Sequence, residues 1–292
     1  MRTISSQAVA AKDGSTRKRS GDPRHEVPAP SKNRSAPPGR RGQVRVEHGA
    51  KRVRAYLGGA VVVDSIAPLL VWEVPYYPTY YFPESDVCAD LVADGGADLH
   101  SPSRGDAKTL SVLAGRSRAL GAAARYEDSP INELRGAVRF QWDAMEAWFE
   151  EDEQVYTHPR DPYTRVDILA SSRRVRVLLD CLVLADSTSP RLLFETGLPT
   201  RYYLPRTHVR MDLLEGSPTV THCPYKGRAE TWSIRDGEAL HEDLAWSYPA
   251  PLPESQKVAG LIAFYDEKLD IEVDGALQVR PRTKFGHSPQ AA

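Results

Sequence analysis

Cysteine is scarce in this 292-residue sequence, and long hydrophobic runs are absent from it. The three cysteines, Cys88, Cys181 and Cys223, lie far apart and form no C-x-x-C pair. This argues against a disulfide framework and against a cysteine-rich zinc site. No run approaches the roughly 18 apolar residues of a membrane span, and the N-terminus has no apolar segment typical of a secretory signal. We therefore expect a cytoplasmic protein with no metal, no cofactor and no membrane partner.

Charge is distributed unevenly along the chain. The net charge is -1, but residues 1–45 carry eleven Lys or Arg against three acidic residues, so they are +8 and the remainder is -9. Their Ser, Pro and Gly content and their few aromatics predict a disordered tail. This tail is interpreted as a simple leader, as an arm that contacts nucleic acid or membrane, or as an organellar transit peptide. Because the body is acidic, nucleic-acid binding is expected of the tail at most.

The body contains an internal repeat. A shift of 122 residues aligns 53–112 with 175–234 without a gap, and 21 of the 60 positions are identical. In this alignment "VRAYLGGAVVVDS" meets "VRVLLDCLVLADS", and "HSPSRGDAKTLSV" meets "HCPYKGRAETWSI". Further on, 136–140 aligns with 260–264 at an offset of 124. The pattern indicates a tandem duplication of one domain.

Each copy begins with a predicted β-hairpin. In the first copy, β-branched runs flank Gly58-Gly59, a pair that permits the positive φ angles of a two-residue turn. The second copy has Asp180-Cys181 there, and since Cys tolerates positive φ poorly, we expect a wider turn. Further short strands, broken by Pro, Gly and Ser, are predicted over about 68–92 and 190–214.

A helix is predicted at the end of each copy, over 131–151 and 254–268. In the first, apolar residues recur at helical intervals after Ser129-Pro130 as cap and first turn, at Leu134, Val138, Trp142, Met145 and Phe149. The predicted fold is mainly β with a minor α+β character: two tandem copies of a small β-rich domain, each closed by one helix, after a disordered N-terminal tail. The predicted boundaries are a basic tail over 1–45, a first repeat over 46–152, a linker over 153–173, a second repeat over 174–284 and a short tail over 285–292.

The blocks "LLFETGLPTRYYLPRTHVRMDLL", "THCPYKG" and "AWSYP" resemble those of the bacterial and fungal domain of unknown function 427 family. The segment "VYTHPRDPYTRVDIL" resembles the linker of its tandem members, and the resemblance covers about 50–280. It implies a small β-rich fold and a nucleotidyltransferase-like label. The sequence has neither a G-x-x-x-x-G-K-S/T phosphate loop nor a paired-Asp metal motif that would support that label.

The stretch "THCPYKGRAETWSI", 221–234, is the candidate site. Cys223 is a candidate nucleophile whose thiolate His222 and Lys226 would favour; alternatively it packs as a small hydrophobe in a Pro-containing turn. Adjacent residues of a strand point to opposite faces, so His222 need not reach Cys223. A metal role for His222 with His241 or neighbouring acids matches no known ligand spacing.

Aromatic and cationic side chains concentrate around this motif in the second copy. They predict a ligand pocket for an anionic or nucleotide-like small molecule, lined by Tyr225, Lys226, Arg228, Trp232, Trp246 and Tyr248. The alternatives are a packed core of a small domain, or an enzyme that is thiol-dependent through Cys223 or nucleotidyltransferase-like. The oligomeric state is unknown.

The first copy has small side chains at most of these positions, with Ser101 for Cys223 and Ala124 for Trp246, which indicates a degenerate site. The paired tyrosines Tyr80/Tyr81 and Tyr202/Tyr203 are interpreted as structural. The "HPRDPY" segment, 158–163, is interpreted as a linker that docks the two domains.

Overall fold

The computed structural model describes residues 44–93 and 95–283. The predicted tail up to residue 43 and the predicted C-terminal tail 285–292 lie outside the described residues. Both repeats belong to one compact unit. The first strand begins at Arg45, the last residue assigned to the N-terminal tail from the sequence.

Each repeat consists of one large and one small antiparallel sheet. The twelve strands of the first repeat are β1 (Arg45–His48), β2 (Val53–Leu57), β3 (Ala60–Ser65), β4 (Leu69–Val74), β5 (Tyr77–Pro83), β6 (Asp90–Ala93), β7 (Leu99–Ser101), β8 (Gly105–Ala114), β9 (Ser117–Asp128), β10 (Ala137–Phe140), β11 (Ala147–Glu150) and β12 (Glu153–Val155). The eleven strands of the second are β13 (Val166–Ala170), β14 (Val175–Leu179), β15 (Leu182–Ser187), β16 (Arg191–Glu195), β17 (Arg201–Leu204), β18 (Leu214–Cys223), β19 (Gly227–Asp236), β20 (Ala239–Ser247), β21 (Ile262–Phe264), β22 (Asp270–Val273) and β23 (Ala276–Leu277).

The strand order is the same in both repeats. The large sheet runs β1-β4-β5-β10-β9-β8-β6 in the first, with β7 also paired to β8, and β13-β16-β17-β21-β20-β19-β18 in the second. The small sheets run β12-β11-β2-β3 and β15-β14-β22-β23. The long β18 thus takes the place of both β6 and β7. The tandem duplication is confirmed.

The hairpins that open the repeats match in detail. Gly58 and Gly59 have φ angles of 58° and 75°, as the turn requires. In the second hairpin Asp180 takes the positive φ, 52°, and Leu179 pairs with Leu182, so the turn is again two residues long and the expectation of a wider turn is wrong. A register shift follows Ala55 in the first hairpin and its counterpart in the second.

The two predicted helices are wrong. The segment 131–151 instead contains two 3-10 turns and the strands β10 and β11, and 254–268 contains one 3-10 helix and β21. Gly136 and Gly260 have φ angles of 74° and 68°, which an α-helix cannot continue through. The apolar residues whose spacing suggested a helix lie instead in successive 3-10 turns and short strands, each of which buries some of them. The 3-10 helices are Glu84–Asp86, Asn132–Leu134, Trp142–Ala144, Arg206–His208, Met211–Leu213 and Pro253–Val258.

Each large sheet is covered on both faces. One face packs on the small sheet and forms the main core of the repeat, with Phe82 and Val138 in the first and Leu204 and Ile262 in the second. The other face packs under a 3-10 helix and forms a second cluster, which includes Tyr81 in the first repeat. We call the corresponding cluster of the second repeat the outer cluster; it contains Ile168, Leu193, Tyr203, Ala229, Trp246, Tyr248, Val258 and Ala263. The main core and the outer cluster of the second repeat both matter for the candidate site. Alternate side chains of a strand point to opposite faces of the large sheet, so neighbouring residues enter different clusters.

Candidate functional site

The candidate motif lies at the turn between β18 and β19. Cys223 and Gly227 are the last residues paired, and the amide of Lys226 donates to the Cys223 carbonyl at 3.3 Å. The turn is anchored to the neighbouring 3-10 helix Pro253–Val258. The Ser255 hydroxyl donates to the Tyr225 carbonyl at 3.0 Å, and the amide of Leu252 donates to the Lys226 carbonyl at 3.1 Å. Hydrogen bonds to its backbone carbonyls therefore fix this turn.

His222 and Cys223 do not converge. The His222 side chain is exposed, and its ring stacks on Tyr156 with the centroids 5.3 Å apart. Its carbonyl accepts a hydrogen bond from the Thr157 hydroxyl at 3.2 Å. Cys223 is half-buried and packs against the outer cluster. The two side chains lie on opposite faces of β18, as expected of neighbours in a strand.

Lys226 forms a buried ion pair with Glu195. The Lys226 ammonium lies 2.5 Å from the Glu195 carboxylate, and the two side chains are 10% and 8% exposed. Burial is the largest influence on the pKa of Lys226 and lowers it. Electrostatic interactions with Cys223, Glu195 and Tyr203 and the hydrogen bond to Glu195 together outweigh burial, so the pKa is raised overall. The positive charge that was assigned to an anionic ligand is thus already matched by a carboxylate of the protein.

Trp246 and Tyr248 are buried in the outer cluster. The Trp246 indole N–H donates to the Tyr203 hydroxyl at 3.1 Å, and its ring packs on Tyr265 with the centroids 4.5 Å apart. Burial raises the pKa of Tyr203 to about 12 and raises the pKa of Tyr248 well above its usual value. These rings fill space between β17, β20 and β21, and the polar atoms of Trp246 and Tyr203 are hydrogen-bonded to each other.

Trp232 and Arg228 lie apart from this cluster. Trp232 packs on the main core of the second repeat, on the other side of the sheet, and the Arg206 guanidinium lies 5.3 Å from its ring centroid. Arg228 is exposed and pairs with Glu230 at 3.1 Å. Of the six predicted ligand-binding residues, Lys226, Trp246 and Tyr248 are brought together.

The sixth residue, Tyr225, contacts the linker. Its hydroxyl accepts a hydrogen bond from the Asp161 amide at 2.8 Å, and the Asp161 carboxylate accepts one from the Trp72 indole at 3.0 Å. His158 stacks on Tyr77 of the first repeat at 3.9 Å. The segment therefore contacts both repeats, and its role as a docking linker stays a prediction.

A partly buried acid–cation–tyrosine cluster is present in the first repeat as well. The Tyr81 hydroxyl donates to Glu73 at 2.7 Å, and Arg104, which corresponds to Lys226, lies 2.6 Å from the same carboxylate. Arg139 adds a second cation at 3.1 Å, and the Arg104 guanidinium lies 5.9 Å from the Tyr126 ring centroid. Sequence reasoning missed the carboxylates and assigned the tyrosines to structure alone. An acidic residue kept at the same place in two otherwise apolar strands was the available signal.

The repeats differ at one cross-strand pair beside this cluster. Ala124 lies opposite Arg139 in the first repeat, whereas Trp246 lies opposite Ala263 in the second. The large side chain comes from β10 in one copy and from β20 in the other. Each copy therefore has one large side chain at this cross-strand pair, and in the first repeat it is Arg139, opposite the small Ala124.

Comparison with known families identifies the family of this chain. The model of the family described as Domain of unknown function (DUF427) matches residues 45–151 and 167–275. The chain belongs to this family. No curated protein matches its sequence significantly.

Among the described residues of this DUF427 protein, each repeat contains a cavity. The first, of about 220 Å³, is lined by Trp142, Asp143, Met145, Glu146, Ala147, Trp148, Gln154, Val155 and Tyr156. The second, of about 160 Å³, is lined by Pro199, Thr200, Tyr202, Asp266, Leu269, Ile271, Gln278, Val279, Arg280 and Pro281. Neither borders Lys226, Trp246 or Tyr248, so a ligand site among those residues stays a prediction that their packing does not favour.

The two cavities occupy equivalent places. Matched by strand register, Trp148 corresponds to Ile271 and Tyr156 to Val279. Matched by the offset of 124 that relates β10 to β21, Trp142 corresponds to Asp266. The three aromatic side chains of the first cavity are thus replaced by smaller residues in the second.

Metal and membrane features are not found in the part of the chain that the structure describes. Across residues 44–93 and 95–283, no group of three or more His, Cys, Asp or Glu could hold a metal ion. Within the same ranges, none of the helices has the length and hydrophobicity needed to cross a bilayer.

Proposed function

We propose that this protein binds a small organic molecule in the cavity of its first repeat. The observation that carries the proposal is the aromatic lining of that cavity, in which Trp142, Trp148 and Tyr156 meet around a space of about 220 Å³. Ligand sites are typically concave and lined by aromatic side chains with a few polar groups. The volume is below the roughly 300–1,000 Å³ of sites for drug-sized ligands, so the ligand is smaller than that class.

This location joins the cavity to the candidate motif. Tyr156 lines the cavity, and its ring also stacks on His222 of the second repeat. A ligand in contact with Tyr156 therefore lies one ring away from the β18–β19 turn. The candidate motif therefore lies next to the proposed ligand site, and the second repeat packs against one side chain that lines the site.

A thiol-dependent or nucleotidyltransferase-like reaction has less support. A nucleophilic Cys223 would need a base within hydrogen-bond reach, but His222 lies on the opposite face of β18. A phosphorylated substrate would need a free cation, but Lys226 is paired with the buried Glu195. Both features favour a structural role for the outer cluster.

The second cavity offers a matched control for the first. We expect Tyr156→Ala to abolish or strongly weaken ligand binding, because it removes an aromatic wall that is 61% exposed and contributes little to the core. Val279→Ala, the corresponding change in the second repeat, is expected to leave binding unchanged.

The test is a thermal-shift screen of small-molecule fragments on the wild-type chain, followed by calorimetric titration of each hit on both variants. Hits that lose affinity with Tyr156→Ala and keep it with Val279→Ala support the proposal. Hits that are indifferent to Tyr156→Ala, or a screen with no hits, contradict it.

A further inference from the structure

The charges around the first cavity are all of one sign. Two carboxylates, Asp143 and Glu146, line it together with three aromatic rings, and among the described lining residues none is basic. Glu146 is oriented by the Gly59 amide, which donates to its carboxylate at 2.7 Å. Asp143 is exposed at the end of the cavity formed by the 3-10 turn Trp142–Ala144.

The second cavity has a different charge pattern. Its carboxylate, Asp266, is ion-paired with the buried Arg201, and its lining arginine, Arg280, is paired with Asp270 at 2.8 Å. The corresponding cavity of the same fold is therefore neutralised and lacks the tryptophans. The negative, aromatic character belongs to the first repeat and is not a general property of the domain.

We propose that the first cavity recognises an organic cation, either a protonated amine or a quaternary ammonium group; this inference rests on the proposed function. Trp148 is 3% exposed and stacks on Trp142, so the rings that can face a ligand are those of Trp142 and Tyr156. Aromatic faces attract cations through the ring quadrupole, and nearby carboxylates add Coulombic attraction. The sequence had suggested an anionic ligand on the strength of Lys226. The charge that lines an open cavity has the opposite sign, because Lys226 is buried with Glu195 elsewhere.

The experiment compares choline with 3,3-dimethylbutan-1-ol, an uncharged molecule of nearly the same shape, by calorimetric titration of the full chain. We expect choline to bind about tenfold more tightly, as a cation–π contribution of roughly 1–2 kcal/mol would give. Asp143→Asn is expected to weaken choline binding about two- to fivefold and to leave the neutral molecule unaffected.

Asp236→Asn is the matched control, since it removes one negative charge from an exposed hairpin turn of the second repeat. It should leave choline affinity unchanged. Equal affinity for choline and its neutral analogue, or binding by the analogue alone, overturns the cation inference while cavity binding stands. An equal effect of Asp143→Asn and Asp236→Asn also overturns it. If neither probe binds but the fragment screen yields ligands sensitive to Tyr156→Ala, the cation inference fails alone. If neither probe nor any fragment binds, the proposed function fails with it.

Discussion

Glu73 and Glu195 occupy the same place in the two repeats, but their surroundings differ. Glu73 contacts two arginines, Arg104 and Arg139, whereas among the described residues Lys226 is the one cation paired with Glu195. The second repeat fills the space of the second arginine with Trp246, which bonds to Tyr203. The same buried carboxylate is thus stabilised by extra charge in one copy and by aromatic packing in the other. This indicates that the cluster is retained for the fold.

The largest effect is expected at Lys226. Lys226→Met leaves Glu195 buried without its cation and should cost about 3–5 kcal/mol of unfolding free energy. Arg104→Met in the first repeat should cost less, about 1–3 kcal/mol, because Arg139 still faces Glu73. Urea denaturation of the two variants measures the difference. Equal losses would show that Arg139 does not compensate.

The difference at the cross-strand pair of Ala124 and Arg139 can be tested by giving the first repeat the side chains of the second. Ala124→Trp alone should cost about 1–3 kcal/mol, because Arg139 already occupies the space opposite. The double variant Ala124→Trp/Arg139→Ala recreates the arrangement of the second repeat and should recover part of this loss. A double-mutant cycle by urea denaturation is expected to give a coupling of about 0.5–3 kcal/mol. Additive losses would mean that the two side chains do not share one space.

Glu150 makes the first repeat sensitive to acid, since its counterpart in the second repeat is Val273. Burial raises the pKa of Glu150, but hydrogen bonds from Lys51, Tyr80 and the Arg160 amide and the charge of Lys51 together outweigh it, so the pKa is lowered below 4.5. A lowered pKa in the folded state gives stability that is present above about pH 4.5 and is lost as pH falls through the folded value.

We therefore expect Glu150→Gln to cost about 1–3 kcal/mol at neutral pH and to flatten the fall of Tm between pH 5 and pH 3. Thermal melts across this range measure it, with Asp236→Asn as the control. A variant whose Tm falls as steeply as that of the wild type would locate the acid sensitivity elsewhere.

The smallest effect is expected at the contact between Tyr225 and the linker. Tyr225→Phe removes the acceptor of the Asp161 amide and should cost about 0.5–1.5 kcal/mol. Tyr163→Phe removes an exposed hydrogen bond to Glu47 and should change stability by less. If urea denaturation gives the same loss of unfolding free energy for the two variants, the linker contact stabilises the protein no more than an exposed hydrogen bond does.

Repeat alignment predicted the duplication, the β-rich class and the opening hairpins, because these depend on local turn residues and on the period-two pattern. It could not distinguish a helix from successive short strands in 131–151, where buried residues recur at similar spacing in both cases. Gly136 and its counterpart Gly260 were the signal against a helix.

The site was harder to predict than the fold. Cys223 and Trp246 pack in one cluster and Lys226 lies beside it, but sequence alone did not show that Glu195 neutralises the lysine. The cavity of the first repeat was not predicted, because Trp142 was assigned to the apolar face of the predicted helix. All of its lining residues lie in the one stretch 142–156, whose 3-10 turn and two strands β11 and β12 the predicted helix did not allow for.

The most direct test of the account is the response of the tryptophan indole N–H signals in a ¹⁵N spectrum during titration with a bound ligand, assigned with Trp→Phe variants. Ligand binding in the first cavity should shift the signals of Trp142 and Trp148 and leave that of the buried Trp246 in place. A ligand that shifts Trp246 and leaves Trp142 and Trp148 unchanged would contradict the account and return the site to the second repeat.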